Sequence, residues 1–202
     1  MASRRGTLVV IAGPSGVGKG SLVAELLARD PRRLAYSVSV KTRDPRPSEL
    51  HGREYLFISE DEFDRLIEAG DLLEWAPFTD HRSGTPRAFV EEQLAAGRDV
   101  ILELDVEGAR QIRERVPAAV LIFVAPPTME ELERRLRGRG TETEERIRQR
   151  LATAAREMGE QGWFDHVVTN DDLLRAASQV AAIIDTSRAD PSADPTMEDP
   201  SG

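Results

Sequence analysis

The chain has 202 residues, of which 40% are hydrophobic, with a formal net charge of −9, three histidines and no cysteine. Such a length and apolar content build one core and one domain with room for a small insertion. The acidic balance excludes a protein that wraps a nucleic-acid backbone, and the missing thiols exclude disulfides, thiolate metal sites and a cysteine nucleophile.

Arg4 and Arg5 precede the apolar run Leu8 to Ala12, which is too short for a signal-peptide core or a membrane span, so no membrane association and a cytoplasmic location are expected. Thr7 to Ala12 (TLVVIA) is β-branched and apolar throughout, as a strand buried on both faces requires. Behind it Leu22, Val23, Leu26 and Leu27 repeat at helical spacing. Between strand and helix stands GPSGVGKGS. The general phosphate-loop form ends in Lys followed by Ser or Thr, whose hydroxyl meets the nucleotide's magnesium ion. Here Gly13, Gly18 and Lys19 are followed by Gly20.

The strand-turn-helix context supports a nucleotide loop all the same. Glycines at 13, 16 and 18 let backbone N–H groups converge on phosphate oxygens, the helix N-terminus adds partial positive charge, and Lys19 can reach between the β and γ phosphates. Gly13, Pro14, Ser15, Gly16, Val17, Gly18, Lys19, Gly20 and Ser21 form the expected nucleotide-binding segment. With the usual hydroxyl missing, the ion is held by Ser21 or keeps its waters and leans on the phosphates.

Residues 36 to about 90 change character. YSVSV alternates polar and apolar, EYLF and LLEWAPF are aromatic-rich, and SEDEFDRLIEAG is a helix opened by the capping pair Ser59 and Glu62. These predict a mixed insertion. Strand-helix alternation then resumes with DVILELD (Asp99 to Asp105), AVLIFVA (Ala119 to Ala125) and HVVT, each followed by a helical segment, which predicts a parallel sheet with helices on both faces. From Ser187 onward, prolines and acids with almost no apolar residues predict a disordered acidic tail over 187–202.

Several side chains stand out as chemistry. Arg43 and Arg46, stiffened by Pro45 and Pro47 and followed by Tyr55, suit a dianionic phosphate monoester, or make a solvated basic loop. Glu74 is either an exposed-face residue or a pocket carboxylate able to accept from the N1–H and 2-amino group of guanine, with the hydroxyls of Ser39 and Thr85 left for its carbonyl edge. Glu103 and Asp105 alternate with leucines and point to one side of their strand, where carboxylates attend magnesium or substrates. Residues 134–150 hold seven arginines; most belong to a solvated helix face, whereas Arg139, between Gly138 and Gly140, can swing onto phosphates. Arg150 and Arg135 are weaker candidates. Asn170 either touches a bound base or caps the helix that follows.

GPSGVGK, SVSVKTRDPRPSELHGREY, LLEWAPF, RSGTP, LELDVEGA, RRLRGRGTETEERIRQRL and VVTNDD occur in the order seen in guanylate kinases, and the chain resembles that family from about Thr7 to Thr186. The resemblance implies a three-layer phosphate-loop kinase fold: a core of residues 1–35 and 93–186, a GMP-binding insertion over 36–92 and a short helical lid at about 135–155. It implies ATP-dependent phosphorylation of GMP to GDP in purine metabolism, with Mg²⁺, by a monomer or homodimer. Asn170 and the phosphate loop would bind ATP. Arg43, Arg46 and Tyr55 would hold the GMP phosphate, Ser39, Glu74 and Thr85 would read guanine, and Glu103 and Asp105 would face GMP. Asp105 would alternatively meet the magnesium waters, and Arg139 and Arg150 would come from the lid. The chain departs from the family at Gly20, at Ser83, where many members place a second tyrosine on the GMP phosphate, and at Lys41, where the family usually has a small hydroxyl residue. Two rivals keep the fold: a kinase for a ribose phosphate, and a non-catalytic interaction module, which typically lacks Lys19 and the lid arginines.

Overall fold

A computed structural model describes residues 4–46, 49–52, 55–77, 80–138 and 143–189. The apolar run Leu8–Ala12 forms β1 with all five residues buried. β1 lies at the centre of a five-stranded sheet with β2 (Leu34–Tyr36), β7 (Asp99–Glu103), β8 (Val120–Ala125) and β9 (His166–Thr169), in the order β2-β7-β1-β8-β9. Every pairing in it is parallel. Successive residues of β1 point to opposite faces, so Leu8, Val10 and Ala12 enter one core layer while Val9 and Ile11 enter the other.

Helices cover both layers, as the alternating sequence predicts. On the first face lie Val90 and Leu94 of α3 (Arg87–Ala95) and Ala109 and Ile112 of α4 (Val106–Arg115). The other face receives Leu22 and Leu26 of α1 (Lys19–Arg29), Leu132 and Leu136 of α5 (Met129–Gly138), Ala154 of α6 (Glu144–Gly159) and Val180 of α7 (Leu173–Ala189). No helix among the described residues is long and apolar enough to cross a membrane.

The insertion builds its own four-stranded sheet, β4-β3-β6-β5, from β3 (Val40–Lys41), β4 (Leu56–Phe57), β5 (Leu72–Pro77) and β6 (Arg82–Pro86). Its helix α2 (Glu60–Glu68) starts with the reciprocal Ser59/Glu62 capping box read from the sequence and packs Phe63 against Val40 and Leu72. The second sheet is fastened to α4: Gln111 donates to the Trp75 carbonyl at 2.9 Å and accepts from its N–H at 3.1 Å, and Arg115 donates to the carbonyls of Leu72 and Leu73. The insertion leaves the core after β2, a core strand the sequence did not disclose, whose last residue, Tyr36, had been read as the start of the insertion.

The expected tail needs correction at its start. α7 continues through Ala189, three residues into the segment read as disordered, and residues 190–202 lie outside the described residues. The reason is Asp99, which is fully buried and accepts from Thr7 N–H (2.8 Å), Arg33 Nε (2.8 Å) and Arg188 Nη1 (3.0 Å). A buried carboxylate so placed ties the last turn of α7 to the central sheet. Asp99→Ala is expected to lower the unfolding free energy by about 3 kcal/mol, read as a lower urea midpoint. A midpoint equal to that of the parent chain would contradict this role.

Candidate active site

Ligands of open α/β sheets bind at the carboxyl ends of the strands, where the strand order reverses. That place here is occupied by the loop after β1. α1 begins at Lys19 behind Gly18, with no side-chain cap and no acid in its first turn, so the orphan N–H groups of its N-terminus are left for an anion. Gly18 has φ 102°, and a Cβ there would stand 2.6 Å from Asn170 Nδ2. Both facts demand glycine. Gly18→Ala is expected to weaken nucleotide binding at the loop by at least about 10-fold, measured by calorimetry; an affinity equal to that of the parent would contradict it.

Asn170 was expected to contact a bound base or to cap a helix. It is buried, and its amide donates to the Val17 carbonyl at 2.8 Å, bracing the loop from behind. Asp172 caps α7 instead, accepting from Arg175 N–H at 2.9 Å. Arg135 joins the brace, donating to the carbonyls of Val17 (3.1 Å) and Asn170 (2.9 Å). Lys19 reaches across the loop, with Nζ donating to the Gly13 carbonyl at 2.6 Å and the Pro14 carbonyl at 3.3 Å. Ser21 is exposed one residue beyond Gly20.

Beside the loop lies a pocket of about 180 Å³ between the two sheets, and it gathers Ser39, Tyr55, Glu74, Ser83, Glu103 and Asp105 from the sequence-predicted set. Tyr36 and Lys41 line it as well. Loop and pocket share Glu103, since a Cβ on Gly20 would sit 3.5 Å from its Oε2. Burial pushes the Glu103 carboxyl up, and Lys19 acts against that. Asp105 lies just past the end of β7 and caps α4, with Oδ1 accepting from Gly108 N–H at 2.8 Å.

Glu74 is buried, which removes the exposed-face alternative. The β5–β6 register sets it opposite Thr85, whose hydroxyl donates to Oε1 at 2.7 Å. Thr85 is almost wholly inaccessible, so it stands behind Glu74 and not at the pocket surface where it was expected. Burial pushes the Glu74 carboxyl up to about 7; the Thr85 bond opposes this and the Asp105 charge adds to it.

Arg43 does not line the pocket; its guanidinium carbon lies 5.8 Å from the ring centroid of Tyr55, which does, and it grips Glu49 with both Nη atoms, at 2.7 and 2.8 Å. That pair holds the Glu49 carboxyl down to about 2, the Arg43 bond being the main cause. Among the described residues, Arg43 Nε is buried with no hydrogen-bond partner. Arg46 is exposed, with its backbone N–H on Glu49 Oε2 at 2.9 Å. Sequence reasoning missed Glu49; an acid six residues after Arg43 inside a basic loop was its one signal. It also missed Glu157 of α6, whose buried Oε2 has no hydrogen-bond partner among the described residues and which feels the charges of Lys19 and Asp105. Arg150 is half-buried on α6, while Arg139 lies outside the described residues.

An uncapped glycine loop at the topological switch point, with a carboxylate-lined pocket at its edge, defines a phosphate-loop kinase of the class that phosphorylates a small acceptor. Comparison with known proteins narrows the class: the family model described as guanylate kinase matches residues 5–187. The chain is 55% identical over 179 residues to a guanylate kinase of Parasynechococcus marenigrum (89% of this chain, 98% of that one). It is 48% identical over 184 residues to one of Desulfitobacterium hafniense (91% and 92%). The crystal structure of guanylate kinase from Anaplasma phagocytophilum superposes with a TM-score of 0.75 at 30% identity, covering 95% of this chain and 90% of that one. The chain belongs to the guanylate kinase family.

Proposed function

We propose that this protein transfers the γ-phosphoryl group of ATP to GMP, giving ADP and GDP. The observation that carries the reading is the wall shared by loop and pocket at Glu103, because a donor on the loop and an acceptor in the pocket then meet at their phosphates. Phosphoryl transfer asks the protein for alignment and charge cancellation more than for covalent chemistry.

In this reading the α1 N-terminus and Lys19 hold the β and γ phosphates of ATP, with Asn170 and Arg135 keeping the loop in shape. Arg43, Arg46 and Tyr55 hold the acceptor phosphate. Glu74 accepts from guanine N1–H and the 2-amino group, Ser39 lies at the carbonyl edge, and Thr85 acts by orienting Glu74. Arg150 reaches the ATP phosphates from α6. Magnesium carried on ATP would neutralise charge on the transferring group. Ser21, Glu103 and Asp105 are hard oxygen donors suited to its waters. The enzyme then acts on free nucleotides, consistent with its acidic balance.

The test is ADP production from ATP and Mg²⁺ with GMP, AMP, CMP, UMP and a ribose phosphate offered separately. Turnover with GMP alone is expected. Equal turnover with another acceptor would remove the guanine assignment, and folded protein inactive with all of them would remove the kinase.

A further inference from the structure

Lys41 lines the acceptor pocket with no task in the scheme above. It stands on β3 directly opposite Ser83 of β6, and both side chains face the pocket. Its ammonium lies 3.6 Å from the centroid of the Tyr55 ring. Burial, then the charge of Arg43, pulls its pKa down, so the site holds this cation at a cost. Among the described residues no carboxylate lies within ion-pair distance of it, and both oxygens of Glu49 are taken by Arg43. The alternatives close to hand are turned elsewhere: Arg82 binds Glu60 and Asp64, and His81 meets Asp80. A half-buried ammonium crowded by guanidiniums and resting on a ring is poised for an arriving anion.

We propose that Lys41 is a ligand of the acceptor's phosphate, completing with Arg43, Arg46 and Tyr55 a cationic seat for a dianionic monoester. The short Ser83 side chain opposite leaves it room to turn from the ring to the phosphate. The proposal rests on the reading of this pocket as the acceptor site, and it adds a contact that depends on the pair Lys41 and Ser83 in this chain.

The test compares binding of GMP and of guanosine, which lacks the phosphate, by calorimetry to the wild-type chain, Lys41→Met and Lys41→Arg. Lys41→Met is expected to weaken GMP binding by about 10- to 100-fold, to leave guanosine binding within about twofold, and to be largely rescued in Lys41→Arg. GMP affinity retained in Lys41→Met, or equal losses for GMP and guanosine, would overturn the proposal. Should Lys41→Met not fold, Lys41→Gln carries the same comparison. Wild-type preference for another monophosphate would sink the guanine assignment alone, and Lys41 would then stand or fall on that monophosphate against its nucleoside. A wild-type chain binding no monophosphate at all would overturn both.

Discussion

Lys19→Met is expected to lower kcat by about 10²- to 10³-fold while KM for GMP changes little. The Lys19 ammonium rests on the carbonyls of Gly13 and Pro14, across the loop that would receive the phosphates. Moving it from two neutral carbonyls onto anionic phosphate oxygens adds the attraction between full opposite charges to each bond. The gain is largest when negative charge spreads over the transferring group, so the loss should appear in turnover and not in acceptor binding. Methionine keeps the apolar stem and removes only the charge. Steady-state kinetics with GMP varied at saturating ATP, alongside a thermal melt, separates the two effects. A kcat within threefold of the parent would remove Lys19 from the reaction.

Glu74→Gln is expected to lower kcat/KM for GMP by about 10²- to 10⁴-fold. A carboxylate accepts from both guanine donors, whereas an amide turns one donor toward another donor in a buried site. The pH dependence follows from the carboxyl group's rise to about 7. Only the ionised form accepts both hydrogens, so guanosine affinity should climb as pH passes through about 7 and then level off. Guanosine is the proper probe because it has no phosphate to titrate. Stability moves the opposite way. The folded pKa lies above the unfolded value, so the unfolded chain releases its proton first as pH rises from about 4.5, and stability is lost up to about pH 7. The full cost is on the order of 3 kcal/mol. Glu74→Gln should therefore gain on the parent at pH 8 compared with pH 5 in urea denaturation. A flat guanosine profile in the wild type, together with equal stability differences at both pH values, would contradict the assignment.

The central sheet was readable because β1, β7 and β8 are buried on both faces and need unbroken apolar runs. β2 escaped because Leu34–Tyr36 is only three residues long, flanked by Arg33 and Ser37, and too short to show a period. The phosphate loop was legible through backbone chemistry, since glycine positions speak directly of φ. Side-chain roles were less so. Asn170 and Thr85 were identified as important, but whether an amide or hydroxyl faces ligand or supports a neighbour depends on packing that one sequence does not encode locally. Glu74 became a pocket group only through Gln111 and Arg115, which fasten β5 to α4 from more than thirty residues away. Glu49, Glu157 and Tyr36 stayed hidden for the same reason.

The central claim is that the phosphoryl group passes directly from ATP to GMP across the wall at Glu103. The most direct measurement follows the label of γ-³²P ATP in the presence of GMP and Mg²⁺. The label should appear in the β-phosphate of GDP, with one ADP formed for each GDP. Label released as inorganic phosphate, with GMP left unchanged, would contradict it.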